Sequence, residues 1–167
     1  MSTVTSTSAY TRVHTAAYLA DVIMGAMGDV LALLGIDTSR FWRDFTQDER
    51  AIKNWIAEQS LTGVVLECHR PDGSVRPVFE FPVSYDLTGT GDARFVNSRA
   101  ALARYTAKLK SVPSGTTYRL FCSFNGAHSE QDGWGSGTRA SIAGLRSTSF
   151  GSLAEGPHAS AGMRIRD

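Results

Sequence analysis

Cysteine is almost absent from this chain. Cys68 and Cys122 are the only two; they stand far apart in apolar runs, and no CxxC or Cys/His spacing surrounds them. That excludes a disulfide framework and a zinc ribbon, and it reads as buried thiols in a reducing compartment. An excess of one charge is missing too: the net charge is +1, with no basic stripe to gather nucleic acid or an anionic membrane. The start, Met1 to Ala9, lacks a basic beginning and an apolar run, so it is neither a secretion signal nor an anchor, and no later stretch reads as a membrane span. A cytoplasmic protein is expected. The four histidines, His14, His69, His128 and His158, stand at no ligand spacing from one another, so neither a metal nor another cofactor is expected.

What remains is an ordinary globular composition, 42% apolar over 167 residues, enough for the core of one domain. Residues 1–9 are mostly Ser and Thr and are expected to form a flexible tail. From Tyr10 an apolar series, Val13, Ala17, Ala20, Met24, Met27, Leu31 and Leu34, has helical spacing, with Gly35 as its stop. Gly25 and Gly28 inside this helix each cost about 1 kcal/mol against Ala, so something must approach closely there or the middle is weak. Phe41, Trp42 and Phe45 form an aromatic bridge. Thr46 and Glu49 then have the spacing of a capping box opening a second helix, whose apolar face is Ile52, Trp55 and Ile56.

After Gly63 the period changes to two. Val64, Leu66 and Cys68 face one way and Val65, Glu67 and His69 the other; a turn at Pro71-Asp72-Gly73-Ser74 leads to a second strand with Phe79, Phe81, Val83 and Tyr85 on one face. Pro77 and Pro82 place that second strand at a sheet edge. A third helix is expected over about Asn97 to Lys110, with Leu102, Tyr105 and Leu109 inward and Lys108 and Lys110 at its negative end. A third strand follows, with Tyr118, Leu120, Cys122 and Phe124 toward the core and Arg119, Phe121 and Ser123 away from it. If the outer strands flank the first, the third helix is a crossover, and Thr116 to Phe124 is left as an open, proline-free edge that invites another strand. Eight of the sixteen glycines fall in 126–167, mixed with Ser and with widely spaced anchors such as Trp134 and Phe150. This segment reads as loose. Its arginines, Arg139, Arg146, Arg164 and Arg166, read as solvated or paired with acids.

Two motifs have a chemical reading. Asp86-Leu87-Thr88-Gly89-Thr90 is like the phosphorylated-aspartate loop of ion pumps but lacks the following lysine, and Gly133-Trp134-Gly135-Ser136-Gly137 has its serine one position late for a nucleophile turn. A small hydrolase or phosphotransfer enzyme using Asp86 and Asp92 is therefore one alternative, and a structural subunit without a switch is another.

The order of parts, together with Ala9-Tyr10-Thr11, Ala51-Ile52-Lys53-Asn54-Trp55, Val64-Val65-Leu66-Glu67, Gly133-Trp134 with Gly137, and Ser149-Phe150-Gly151-Ser152 with Glu155 and Gly156, resembles the bacterial HORMA proteins of cyclic-oligonucleotide (CBASS-type) anti-phage defence. The resemblance implies an α+β, HORMA-like fold: three helices on one face of an antiparallel-type sheet, residues 10–125 as core and 126–167 as a C-terminal safety belt. It implies no enzymatic activity. The belt would trap an extended closure-motif peptide against the third strand, with Thr117, Tyr118, Arg119, Leu120, Phe121 and Ser123 of the strand and Trp134 and Phe150 of the belt in contact. The implied partners are a cyclic-oligonucleotide synthase of the CD-NTase class, which the peptide-bound form would activate, and a Pch-type AAA+ ATPase remodeller that would engage Ser2, Thr3, Val4 and Thr5.

Overall fold

The computed structural model describes residues 2–85 and 95–167, and side chains from Arg12 onward. Three helices, α1 (Ser2–Leu33), α2 (Ser39–Ala57) and α3 (Arg99–Thr106), accompany six strands: β1 (Leu61–His69), β2 (Val75–Tyr85), β3 (Val96–Asn97), β4 (Thr117–Phe124), β5 (Ser147–Gly156) and β6 (Ala159–Arg166). The strands form one sheet in the order β3-β5-β6-β2-β1-β4, antiparallel at every junction. As the alternation requires, Val64 pairs with Cys122 and with Phe81, and Leu66 pairs with Leu120 and with Phe79, all toward the helices. β2 and β4 flank β1, as expected, so α3 lies in the crossover between two parallel strands.

The helix α1 begins at Ser2 rather than Tyr10; propagation onto an existing helix needs far less than nucleation. Its buried face also differs from the expected stripe. Val13 is 57% exposed and Ala17 is exposed, whereas from Leu19 to Leu31 nearly every side chain is buried. The helix is surrounded by α2, α3, β5 and β6, which is why it is apolar all round. For the same reason Arg12–Leu33 has the length and hydropathy of a membrane span, contrary to expectation, although most of it is buried in the core. Gly35, at φ +76°, ends it with Ile36 N–H bonded back to the Leu31 carbonyl.

Both interior glycines are close-approach positions. Gly25 lies under the Arg99 guanidinium, which is bound to Asp29 at 2.6 and 3.1 Å, and a Cβ on Gly28 would stand 2.9 Å from the Trp42 ring and 3.1 Å from buried Phe41. Gly28→Ala is therefore expected to lower stability by about 1 kcal/mol, the overpacking exceeding the gain in helix propensity. Urea unfolding followed by tryptophan emission measures this; a stabilised variant would show that Trp42 simply swings aside.

Three further features depart from the sequence reading. The second helix opens at Ser39, with the Asp37 carboxylate accepting from Ser39 N–H and Oγ, so the aromatic bridge Phe41, Trp42 and Phe45 is its first turns and Thr46 is interior. The third helix is shorter than expected and ends before Lys108. Most importantly, β2 is not an edge. β6 pairs with it from Val78 to Tyr85, and the ladder tolerates Pro82 because Gly162 lies opposite, where a Cβ would stand 3.6 Å from the proline ring. The segment 126–167 is thus only half loose: it ends in the β5–β6 hairpin, whose Ala159, Ala161, Met163 and Ile165 alternate into the core. Asp86 and Asp92, the basis of the enzyme alternative, lie outside the described residues.

Candidate functional site

With the hairpin added beside β2, the opposite margin of the sheet is β4, and no described strand pairs with its outer side. The linking segment 125–146 travels from one margin to the other. It leaves β4 on the helical side, where Asn125 N–H bonds the Ser60 carbonyl and Ser129 N–H bonds the Glu58 carboxylate at 3.0 Å. α2 then holds it three times: Trp55 Nε1 donates to the Ser129 carbonyl at 2.7 Å, Asn54 Nδ2 to Gln131 Oε1 at 3.0 Å, and Gln47 Nε2 to the Asp132 carbonyl at 2.6 Å. Trp55 is also the hub of an aromatic cluster with Phe124, His128 and Trp134, at ring distances of 4.9, 5.8 and 5.4 Å. Gly133, at φ +81°, has a backbone conformation that favours glycine, with the Gln47 amide beside it.

A few residues later the same segment is on the other face of the sheet. A Cβ on Gly137 would lie 3.2 Å from the Phe121 ring, and Phe121 points away from the helices. Ala140 N–H donates to Glu67 Oε2 at 3.0 Å. Between Trp134 and Gly137 the chain has therefore rounded the free margin of β4. The Gly-Trp-Gly-Ser-Gly run is no nucleophile turn; its small residues let the backbone make this passage.

On the outer face the crossing is fastened by acids. Glu67 is fully buried, between His69 Nε2 at 3.0 Å, Ala140 N–H and Arg139 at 3.5 Å. Arg139 also reaches Glu80 at 3.5 Å, and Glu80 binds Arg166 at 2.8 Å and Arg164 at 3.7 Å. Three of the four belt arginines thus pair with acids. Sequence alternation places Glu67 on this face but gives no partner for it. A carboxylate inside a buried strand is the signal, because it is tolerated only when paired.

The free margin is lined from the helical side as well. Arg40 lies over the Tyr118 ring at 4.4 Å and donates to the Tyr118 carbonyl at 2.8 Å. Asp48 is half-buried near Cys122 and Trp134; burial, then the neighbouring Asp44, raises its carboxyl to about 6. Burial also pushes the Cys68 thiol to about 12 and the Cys122 thiol upward, which disfavours the thiolate in both.

Of the residues anticipated from sequence, Thr117, Tyr118, Arg119, Leu120, Phe121 and Ser123 lie together on the free strand and Trp134 stands beside it on the helical side. Phe150 does not join them. It packs on Tyr105 of α3 at 4.3 Å, on a strand separated from β4 by β6, β2 and β1, because the hairpin has docked at the far margin. Ser2, Thr3, Val4 and Thr5 form the beginning of α1. Trp55, Glu67, Arg40 and Asp48 were not anticipated as site residues. Among the described residues no group of three or more His, Cys, Asp or Glu is arranged for a metal.

Comparison with solved structures gives the same fold repeatedly. A chain of the mitotic checkpoint complex superposes with TM-score 0.70 at 8% identity, covering 88% of this chain and 94% of the other. C. elegans HTP-1 bound to the HIM-3 closure motif gives 0.68 at 15% identity, covering 89% and 88%. A chain of the E. coli MS115-1 HORMA:CdnC:Trip13 complex gives 0.61 at 12% identity, covering 92% and 88%. The comparison with curated proteins gives no match. The family model described as bacterial HORMA domain 2 matches residues 1–165, and the chain belongs to that family.

Proposed function

We propose that this protein is a non-enzymatic peptide-binding switch. An extended closure-motif peptide adds as a strand to β4, its backbone satisfying the free donors and acceptors, while the segment 126–146 passes outside it. The observation that carries this reading is the route of that segment: held by α2 on one side and by Glu67 on the other, it encloses an unpaired strand edge. The solved HTP-1 complex with a closure motif supports the ligand class.

The E. coli HORMA:CdnC:Trip13 structure supports the kind of assembly. In this reading the peptide-bound form associates with and activates a cyclic-oligonucleotide synthase of the CD-NTase class in cytoplasmic anti-phage defence. A Pch-type AAA+ ATPase resets it, engaging Ser2, Thr3, Val4 and Thr5 as the leading turn of α1.

Hydrogen exchange with and without peptides selected from a random library tests the ligand step. Protection of both Thr117–Phe124 and 126–146 is expected; if no peptide protects both, strand capture is wrong. Phe121→Asp, on the outer face against Gly137, is expected to weaken binding at least about tenfold while the core stays folded. Unfolding of the core would mean the faces of β4 are reversed.

A further inference from the structure

The wall above the free edge has a charge pattern of its own. Arg40, Asp44 and Asp48 stand at four-residue spacing on one face of α2, each about 6 Å from the next along the axis. This row follows β4: Arg40 is fixed at Tyr118, and Asp48 lies near Cys122. In an added strand, side chains on one face repeat every ~6.7 Å, so successive helix-facing side chains would meet successive members of the row.

The members are not equally satisfied. Arg40 is engaged with Tyr118, and Asp44 pairs with Arg43 at 3.0 Å. Asp48 has no cation within ion-pair distance among the described residues. Beside it the Trp134 indole approaches and, with the more distant Arg40 charge, favours the ionised carboxyl, but Nε1 does not reach full hydrogen-bond geometry and no cation closes on the group. A half-buried carboxylate lacking a cation beside an open strand edge is costly to the empty protein. It is well suited to a ligand that brings the missing charge.

We propose that the strand captured at β4 is a basic one, carrying a Lys or Arg whose side chain faces α2 at the level of Cys122 and pairs with Asp48. This rests on strand capture as described above and assigns Asp48 as the specificity-determining residue.

Peptide display against the full chain and against its Asp48→Lys variant tests it. The natural protein is expected to enrich Lys or Arg at one fixed position, and the charge-reversed variant Asp or Glu at the same position. With one selected peptide, Asp48→Asn is expected to cost about tenfold in affinity, and replacing the peptide's basic residue by Met to cost no more in that background. Peptides that protect β4 but show no basic position, or that bind Asp48→Asn equally, overturn the assignment and leave strand capture standing. If no peptide protects β4, both fall. Should the Asp48 variants fail to fold, the Met substitution in the peptide decides on the natural protein: undiminished affinity refutes the pairing.

Discussion

Replacing Glu67 by alanine is expected to release the belt crossing while the helical core stays folded. The carboxylate is fully buried and serves Ala140 N–H, His69 and Arg139 together, so its removal leaves the partly buried Ala140 N–H unmet and Arg139 with only Glu80. Arg139 is 37% exposed and regains water, which limits the cost to about 2 kcal/mol against the larger value for a fully buried pair. Because the lost contacts join the sheet to 139–140 only, the loss falls on local opening. Amide exchange around Ala140 is expected to quicken about 30-fold, with that of α1 little changed. Glu67→Gln retains a carbonyl acceptor for Ala140 N–H and is expected to lose less than half as much. Equal exchange in the alanine variant and the natural protein would show that the carboxylate does not fasten the crossing.

Trp55→Ala is expected to have the larger effect, about 3–5 kcal/mol of global stability. Trp55 is 2% exposed and belongs to the main core, yet it also supports Phe124, His128 and Trp134 and donates to Ser129. Core and belt therefore fail together. Trp55→Phe separates the two contributions: an aromatic ring remains, but the indole donor to the Ser129 carbonyl is gone, which is expected to cost about 1 kcal/mol from that bond. Denaturant unfolding gives the first quantity and exchange at 126–134 the second. If Trp55→Phe protects 126–134 as well as tryptophan does, edge-on ring contacts alone anchor the start of the belt.

Much of the core was legible because its signals are local. Period two in Val64-Leu66-Cys68 and Tyr118-Leu120-Cys122 set the faces of β1 and β4, and Gly25 and Gly28 announced close neighbours that proved to be Arg99, Phe41 and Trp42. The prolines of β2 point to an edge because sequence does not show what lies across from them; Gly162, far along the chain, removes the obstacle at Pro82. β5 and β6 were missed for a related reason. Ala159 and Ala161 are too small to announce an apolar face, and β5 is interrupted by a bulge between Ser149 and Ser152 containing Gly151 at φ +77°. Phe150 was given to the ligand because nothing in its neighbourhood reveals which margin the hairpin joins. That choice is made by Tyr105 and by the β2 backbone, both remote in sequence.

The rounding of the β4 margin between Trp134 and Gly137 has a consequence for time as well as for affinity. A strand seated inside that loop is topologically threaded, so a peptide with a short free end can enter and leave lengthwise, whereas an internal stretch of a folded protein is admitted only when the loop undocks. Both directions of exchange then share one barrier, set by the Trp55 and Glu67 fastenings rather than by the ligand's own contacts. Such a binder would show hysteresis: its occupancy at a given moment would record earlier exposure to ligand, and an external motor, not dilution, would erase the record.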